Sequence, residues 1–296
     1  MNRNTILSRL NKNGLLLETI RDAKDDKECV LHAVRQDGMA LLFASNELKK
    51  DKDVVLDAVR QTGHALEFAS DKLKNDDTII REALRQDGMA LDSVPVKRRT
   101  IDNVLIAIKQ NGLALFFAPI SLKDNIMIVL VAVKQNGMAL SDAPRFRDHE
   151  DVVLEAVLQN GLALKCASDR LQNSENIVSN AVLQNGLALR FASHELKNDE
   201  EIVIEAIGNH RRAYDEASHS LQLNPRIIMH AYANGMNFTK EFLEEANAYA
   251  RELFYTEQGD VRTAARFIQK YDAENPTRGG SRKRKTKRKR KKTYKI

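Results

Sequence analysis

The side chains able to do chemistry are spread through this 296-residue chain. Asp148, His149, Glu150 and Asp151 form a run with the composition of a metal site. Consecutive acids also suit the positive end of a helix dipole, and the run reads as a helix start. The seven histidines are scattered, and His64 takes a place filled elsewhere by Met or Leu. The two cysteines, Cys29 and Cys166, fall where equivalent positions carry Val54 and Phe68, so they read as small core residues without disulfide or zinc spacing. There is no Ser/His/Asp set, phosphate-binding glycine loop or carboxylate pair at a specific spacing. The expectation is a non-enzymatic protein that needs no cofactor.

What does recur is polar and periodic. Gln36, Gln61, Gln86, Gln110, Gln135, Gln159 and Gln184 each stand two residues before a glycine. Such an amide could line a ligand-binding ladder, but a last-turn amide more simply satisfies backbone groups of a half-buried turn. One residue earlier stand Arg35, Arg60, Arg85, Lys109 and Lys134, a ladder suited to an acidic partner or a phosphate backbone, or to offsetting helix dipoles. Asp57 and Glu82, three residues before Arg60 and Arg85, dilute its field. Leu158 and Leu183 replace the cation further on, and Ile106 and Val131 replace the acid. If that face is exposed, the four make a diagonal apolar patch suited to a protein partner.

The other chemistry is at the C-terminus. Residues 276–296 hold 12 Lys and Arg and no acid, leaving 35 cations against 41 acids elsewhere. Arg282, Lys283, Arg284, Lys285, Lys287, Arg288, Lys289, Arg290, Lys291 and Lys292 could bind nucleic acid or another polyanion. Their mutual repulsion predicts a disordered segment. Tyr294 alone offers a ring, so base stacking is not expected. A nuclear targeting signal and a solubility tail are the competing readings.

The elements that must position these ladders come from a repeat of 24 or 25 residues. Glycines fall at 14, 38, 63, 88, 112, 137, 161 and 186, and again at 235, with Arg211 in the intervening place. Ala then Leu follow two and three residues after seven of them, from Ala40 and Leu41 to Ala188 and Leu189. The first half of a unit predicts a helix of about 11 residues, capped by Asp26, Asp51, Asp76, Thr100, Asn125, Ser174, Asp199 or Asn224, with His149 a poor cap. The glycine is expected to end that helix in the left-handed conformation, and Arg211 to make the ninth unit irregular. A shorter helix follows, then a terminator: Ser45, Ser70, Ser168, Ser193 and Ser218, or Pro95, Pro119 and Pro144. Adjacent apolar pairs such as Val54-Val55 and Ala58-Val59 predict burial against both neighbouring units.

The expected fold is all-α: an α-solenoid of about ten helix-turn-helix repeats over residues 1–248, two capping helices over 249–275 and a basic tail over 276–296. With aromatics at 5% and no Trp, Ala, Leu and Val must build thin layers. The polar N-terminus and the lack of an 18-residue apolar run predict a soluble intracellular protein with no membrane span.

The unit D-x-x-V-V-L-x-A-V-x-Q-N-G-x-A-L-x-F-A-S-x-x-L-K resembles a short repeat of unknown function found in giant DNA viruses and some protists. Residues 182–197 and 199–207 carry it almost unbroken, and GGSRKRKTKRKRKKTYK resembles C-termini common on giant-virus proteins. The resemblance covers about residues 2–248 and the tail. It departs at Ser93, Val94 and Pro95, at Asp142 and Pro144, and at Arg211. It implies a viral origin and an interaction role, and it assigns no catalytic residue.

Overall fold

Apolar pairs that need two neighbours find them. Val54, Val55, Ala58 and Val59 are all fully buried, and the equivalent four residues of each internal repeat are buried likewise. The computed structural model describes residues 2–239 together with Phe242 and Ala246. They form an all-α repeat solenoid with no strand among the described residues. The predicted capping helices and the tail lie outside the described residues.

Two compact units divide the chain, residues 1–184 and 185–296. The first holds α1 (Arg3–Lys12), α2 (Lys27–Gln36), α3 (Lys52–Gln61), α4 (Asp77–Gln86), α5 (Ile101–Gln110), α6 (Ile126–Gln135), α7 (Glu150–Gln159) and α8 (Glu175–Gln184). Each of these packs on the next. The second holds α9 (Glu200–Asn209) and α10 (Pro225–Ala233), which also pack together. Between consecutive long helices runs a six-residue 3₁₀ helix, such as Gly63–Phe68, then a single helical turn, such as Asp71–Lys74, whose Leu73 is buried in the joint.

The helix starts follow the sequence. Asp26 accepts from the Cys29 N–H, Asp51 and Asp76 each accept two first-turn N–H groups, and Thr100, Asn125, Asp199 and Asn224 cap in the same way. His149 makes no capping bond. Asp148 turns instead to the next repeat, where it accepts from the Ser168 hydroxyl at 2.5 Å and from Arg170 at 2.9 Å.

The helix ends do not follow the expectation. Among the described glycines only Gly235 has positive φ, at 84°. The long helices are stopped by the residue before the glycine, held extended near φ −150° as at Asp37, Asn111 and Asn136. Except at Thr62, its side chain caps the following 3₁₀ helix; Asp37, for example, accepts from the Met39 N–H at 2.9 Å. Glycine is needed because the next helix comes too close. A Cβ on Gly137 would lie 2.2 Å from the Ala156 carbonyl oxygen, and Gly14 and Gly88 face the same obstacle at Ala33 and Ala107.

The Gln ladder closes this contact. The side-chain carbonyls of Gln36, Gln86, Gln110, Gln135, Gln159 and Gln184 accept the N–H of the glycine one repeat back at 2.5–2.7 Å. The amide nitrogens of Gln61, Gln86 and Gln135 donate to the carbonyl of the preceding ladder glutamine at 3.1–3.2 Å.

Repeat nine also differs from expectation. His210 is extended like its counterparts and Arg211–Glu216 is an ordinary 3₁₀ helix. Arg211 is tolerated because α10, the helix it meets, ends differently, at Asn234 and the left-handed Gly235, whose carbonyl the Arg211 guanidinium reaches at 3.2 Å.

Candidate docking surface

A long helix buried on both flanks keeps one outward strip, and in the first unit that strip is mostly tied up in ion pairs. Side by side, the helices bring residues 22 or so apart in sequence within reach. Arg35 meets Asp57 at 2.7 Å, Arg60 meets Glu82 at 3.0 Å and Lys134 meets Glu155 at 3.5 Å. The acids thus answer cations of the preceding helix, whereas Arg85 pairs within its own helix, with Glu82 at 3.0 Å. A second row runs along the helix starts. Arg3 pairs with Asp26 and Glu28, Lys27 with Asp51 and Asp53, and Lys52 with Asp76.

These pairs depress their carboxylates. The Cys29 N–H and Arg3 lower Asp26. Partial burial pushes Asp51 up, but Lys27 and the Val54 N–H outweigh it. Lys52 lowers Asp76, and Arg60 lowers Glu82. A carboxylate lowered by folding contributes stability above its unfolded pKa, about 3.9 for Asp and 4.3 for Glu, and loses it as pH falls through the folded value. The melting temperature is therefore expected to drop as pH falls below about 5, and more steeply in the wild type than in an Asp51→Asn/Asp76→Asn variant. Equal slopes in thermal melts at several pH values would remove these pairs from the account.

Of the five cations in the predicted ladder, Arg35, Arg60 and Lys134 are bridged across helices. Arg85 shares Glu82 with Arg60, and Lys109 has no ion pair among the described residues. The ladder is thus largely self-neutralised. The tail cations lie outside the described residues.

Midway along the unit apolar residues enter both rows, although Lys109 and Lys134 remain and Lys134 still meets Glu155. Ile106 and Val131 stand half-buried where Asp57 and Glu82 carry the acid. Leu158 and Leu183 stand where the cation was, 51% and 58% exposed. The start row changes too: Ile101 and Met127, in the register that joins Lys27 to Asp53, are 48% and 67% exposed. All six belong to α5, α6, α7 and α8, which pack in sequence. Ile101 and Met127 were missed by the sequence reading, although their slots are charged in α2 and α3. Phe116 and Ile120 are also exposed, and the Lys123 ammonium lies 5.3 Å from the Phe116 ring centre.

The remaining candidates are placed simply. Cys29 and Cys166 are buried free thiols, pushed up by that burial. His64 is 3.2 Å from Asp87. No helix among the described residues is long and apolar enough to cross a membrane.

The sequence profile of a domain of unknown function (DUF4116) matches residues 2–49, 26–71, 51–97, 101–147, 149–197 and 174–222. Each match spans about two repeats. No curated protein and no solved structure matches the chain.

Proposed function

We propose that this chain, which belongs to the family of the domain of unknown function DUF4116, is a non-enzymatic scaffold that docks a partner protein on the outer strip of α5–α8. The exposure of Leu158 and Leu183 in slots that carry a cation in α2 and α3 supports this most directly. Single exposed leucines are ordinary on soluble proteins. An apolar run over neighbouring helices, in slots that carry ion pairs in α2 and α3, is characteristic of a docking surface, and here it flanks the Lys134–Glu155 pair. The basic tail, with 12 cations in residues 276–296, supports a second activity, tethering to a polyanion such as nucleic acid.

Proximity labelling with the full chain tests both parts. Leu158→Glu/Leu183→Glu is expected to weaken partner binding at least about tenfold, about 1.4 kcal/mol, and so to reduce labelling of protein partners, with an unchanged melting curve. Unchanged labelling would reject the docking surface. Removal of residues 276–296 is expected to spare those partners and abolish oligonucleotide binding. The intact tail, neutralising about 8–10 phosphates, should show a log–log salt slope of about −6 to −9. Survival of half that slope in the truncated chain would assign phosphate contacts to the helices.

A further inference from the structure

In the slot filled by Glu82 in α4, α5 and α6 carry Ile106 and Val131, while α4 and α5 keep the cations Arg85 and Lys109 that would face an acid there. Where α2 meets α3 and α3 meets α4, the outer rung is a closed pair, Arg35–Asp57 and Arg60–Glu82. In the same register the slot opposite Arg85 holds Ile106 and the slot opposite Lys109 holds Val131. Arg85 falls back on Glu82, which already serves Arg60, so one carboxylate answers two guanidinium groups. Lys109 has no ion pair among the described residues and is exposed. These two rungs therefore carry an excess of positive charge beside an apolar floor of Ile106 and Val131. Ile101 and Met127 extend the floor at the helix starts.

We infer that this strip receives an acidic amphipathic helix from a partner protein, its carboxylates supplying the acids missing opposite Arg85 and Lys109. The inference rests on the docking role proposed above and names the chemistry of its partner. A helix offers apolar side chains at i, i+3, i+4 and i+7 for the floor, and acids on the flank of that stripe for the two cations. A phosphate backbone would satisfy the cations but leave Ile101, Ile106, Met127 and Val131 uncovered. A purely apolar segment would cover the floor and desolvate Lys109, which has no ion pair among the described residues, and Arg85, which shares its carboxylate with Arg60. The charge pattern thus selects one class of occupant.

The test restores the missing acids. Ile106→Glu/Val131→Glu puts carboxylates where Asp57 and Glu82 have theirs, so the variant should melt no lower than the wild type. A phage-displayed library of random 16-residue segments is panned on the full chain, with this variant as soluble competitor, which cancels whatever the tail contributes. Enriched segments should pair helical apolar spacing with an excess of Asp and Glu. A synthetic peptide of the leading sequence should bind the variant at least tenfold more weakly by fluorescence anisotropy, and Lys109→Gln several-fold more weakly. Enrichment without acids, or equal binding to the acid-restored variant, overturns the inference. So does a 20-nucleotide oligonucleotide whose affinity falls as much as the peptide's. Acid-free segments that are lost on Leu158→Glu would leave the docking role standing and remove only the acidic helix. Acidic segments lost on Ile106→Glu/Val131→Glu but not on Leu158→Glu would support the acidic helix and move the docking role away from α7 and α8.

Discussion

Gly137→Ala is expected to cost roughly 2–4 kcal/mol, lowering the melting temperature by about 4–16 °C. The new methyl would sit 2.2 Å from the Ala156 carbonyl oxygen and 3.2 Å from the Gln159 side-chain oxygen. The backbone of α7 must move away, and the 2.6 Å bond from the Gly137 N–H to Gln159 goes with it. Gly208→Ala is the control. Nothing lies within 4 Å of its methyl, and it stands inside α9, where alanine is worth about 0.5–1 kcal/mol over glycine. The same substitution should thus lower the melting temperature at one glycine and raise it at the other. Equal effects would mean that close approach is not what the repeat glycines provide.

Replacing Gln110 with Leu should destabilise the chain by about 1–3 kcal/mol, the cost of leaving a half-buried N–H without its acceptor. That group is the Gly88 amide, 2.6 Å from the Gln110 side-chain oxygen. Gln86→Leu should cost more, because Gln86 makes two close bonds, 2.6 Å to the Gly63 N–H and 3.1 Å to the Gln61 carbonyl; the second Gln110 bond is stretched to 3.5 Å. Denaturant titration ranks the variants, and hydrogen exchange locates the effect, since the Gly88 amide should exchange faster in Gln110→Leu. Stability and Gly88 exchange that stay at wild-type values would show the ladder to be incidental to folding.

The period, the caps and the structural reading of the glutamines could be read from residue types alone, because each depends on a contact that recurs at fixed spacing. Asp51 at a helix start and Gln86 two residues before a glycine each bring their donor or acceptor chemistry with them. What stopped the long helices was less legible. A glycine after a helical pattern suggests a left-handed cap, yet the constraint at Gly137 comes from Ala156, 19 residues on. A Cβ clash with another repeat leaves no local trace. The Asp and Asn residues before the glycines, such as Asp37 and Asn136, were the available signal. The pairing of Arg35 with Asp57 was hidden for the same reason: within one helix Asp57 points the eye to Arg60, and only lateral packing brings it to Arg35. The apolar slots Ile106, Val131, Leu158 and Leu183 were visible as exceptions to the period, whereas their exposure depended on which strip of each helix faces outward.

Three consecutive joints lack a bond that others have. The backbone N–H of Ser45, Ser70 and Ser168 donates to a carbonyl of the preceding repeat, at Lys24, Lys49 and Arg147. Pro95, Pro119 and Pro144 have no N–H to offer. Arg99 mends one of these places from its side chain, donating to the carbonyls of Asp92, Val94 and Phe117. Under tension, or during stepwise opening, the middle of the first unit should therefore part before its ends. A pulling trace or a limited-proteolysis ladder would show its earliest break between residues 95 and 144, next to the strip on which a guest would sit and which that guest would brace.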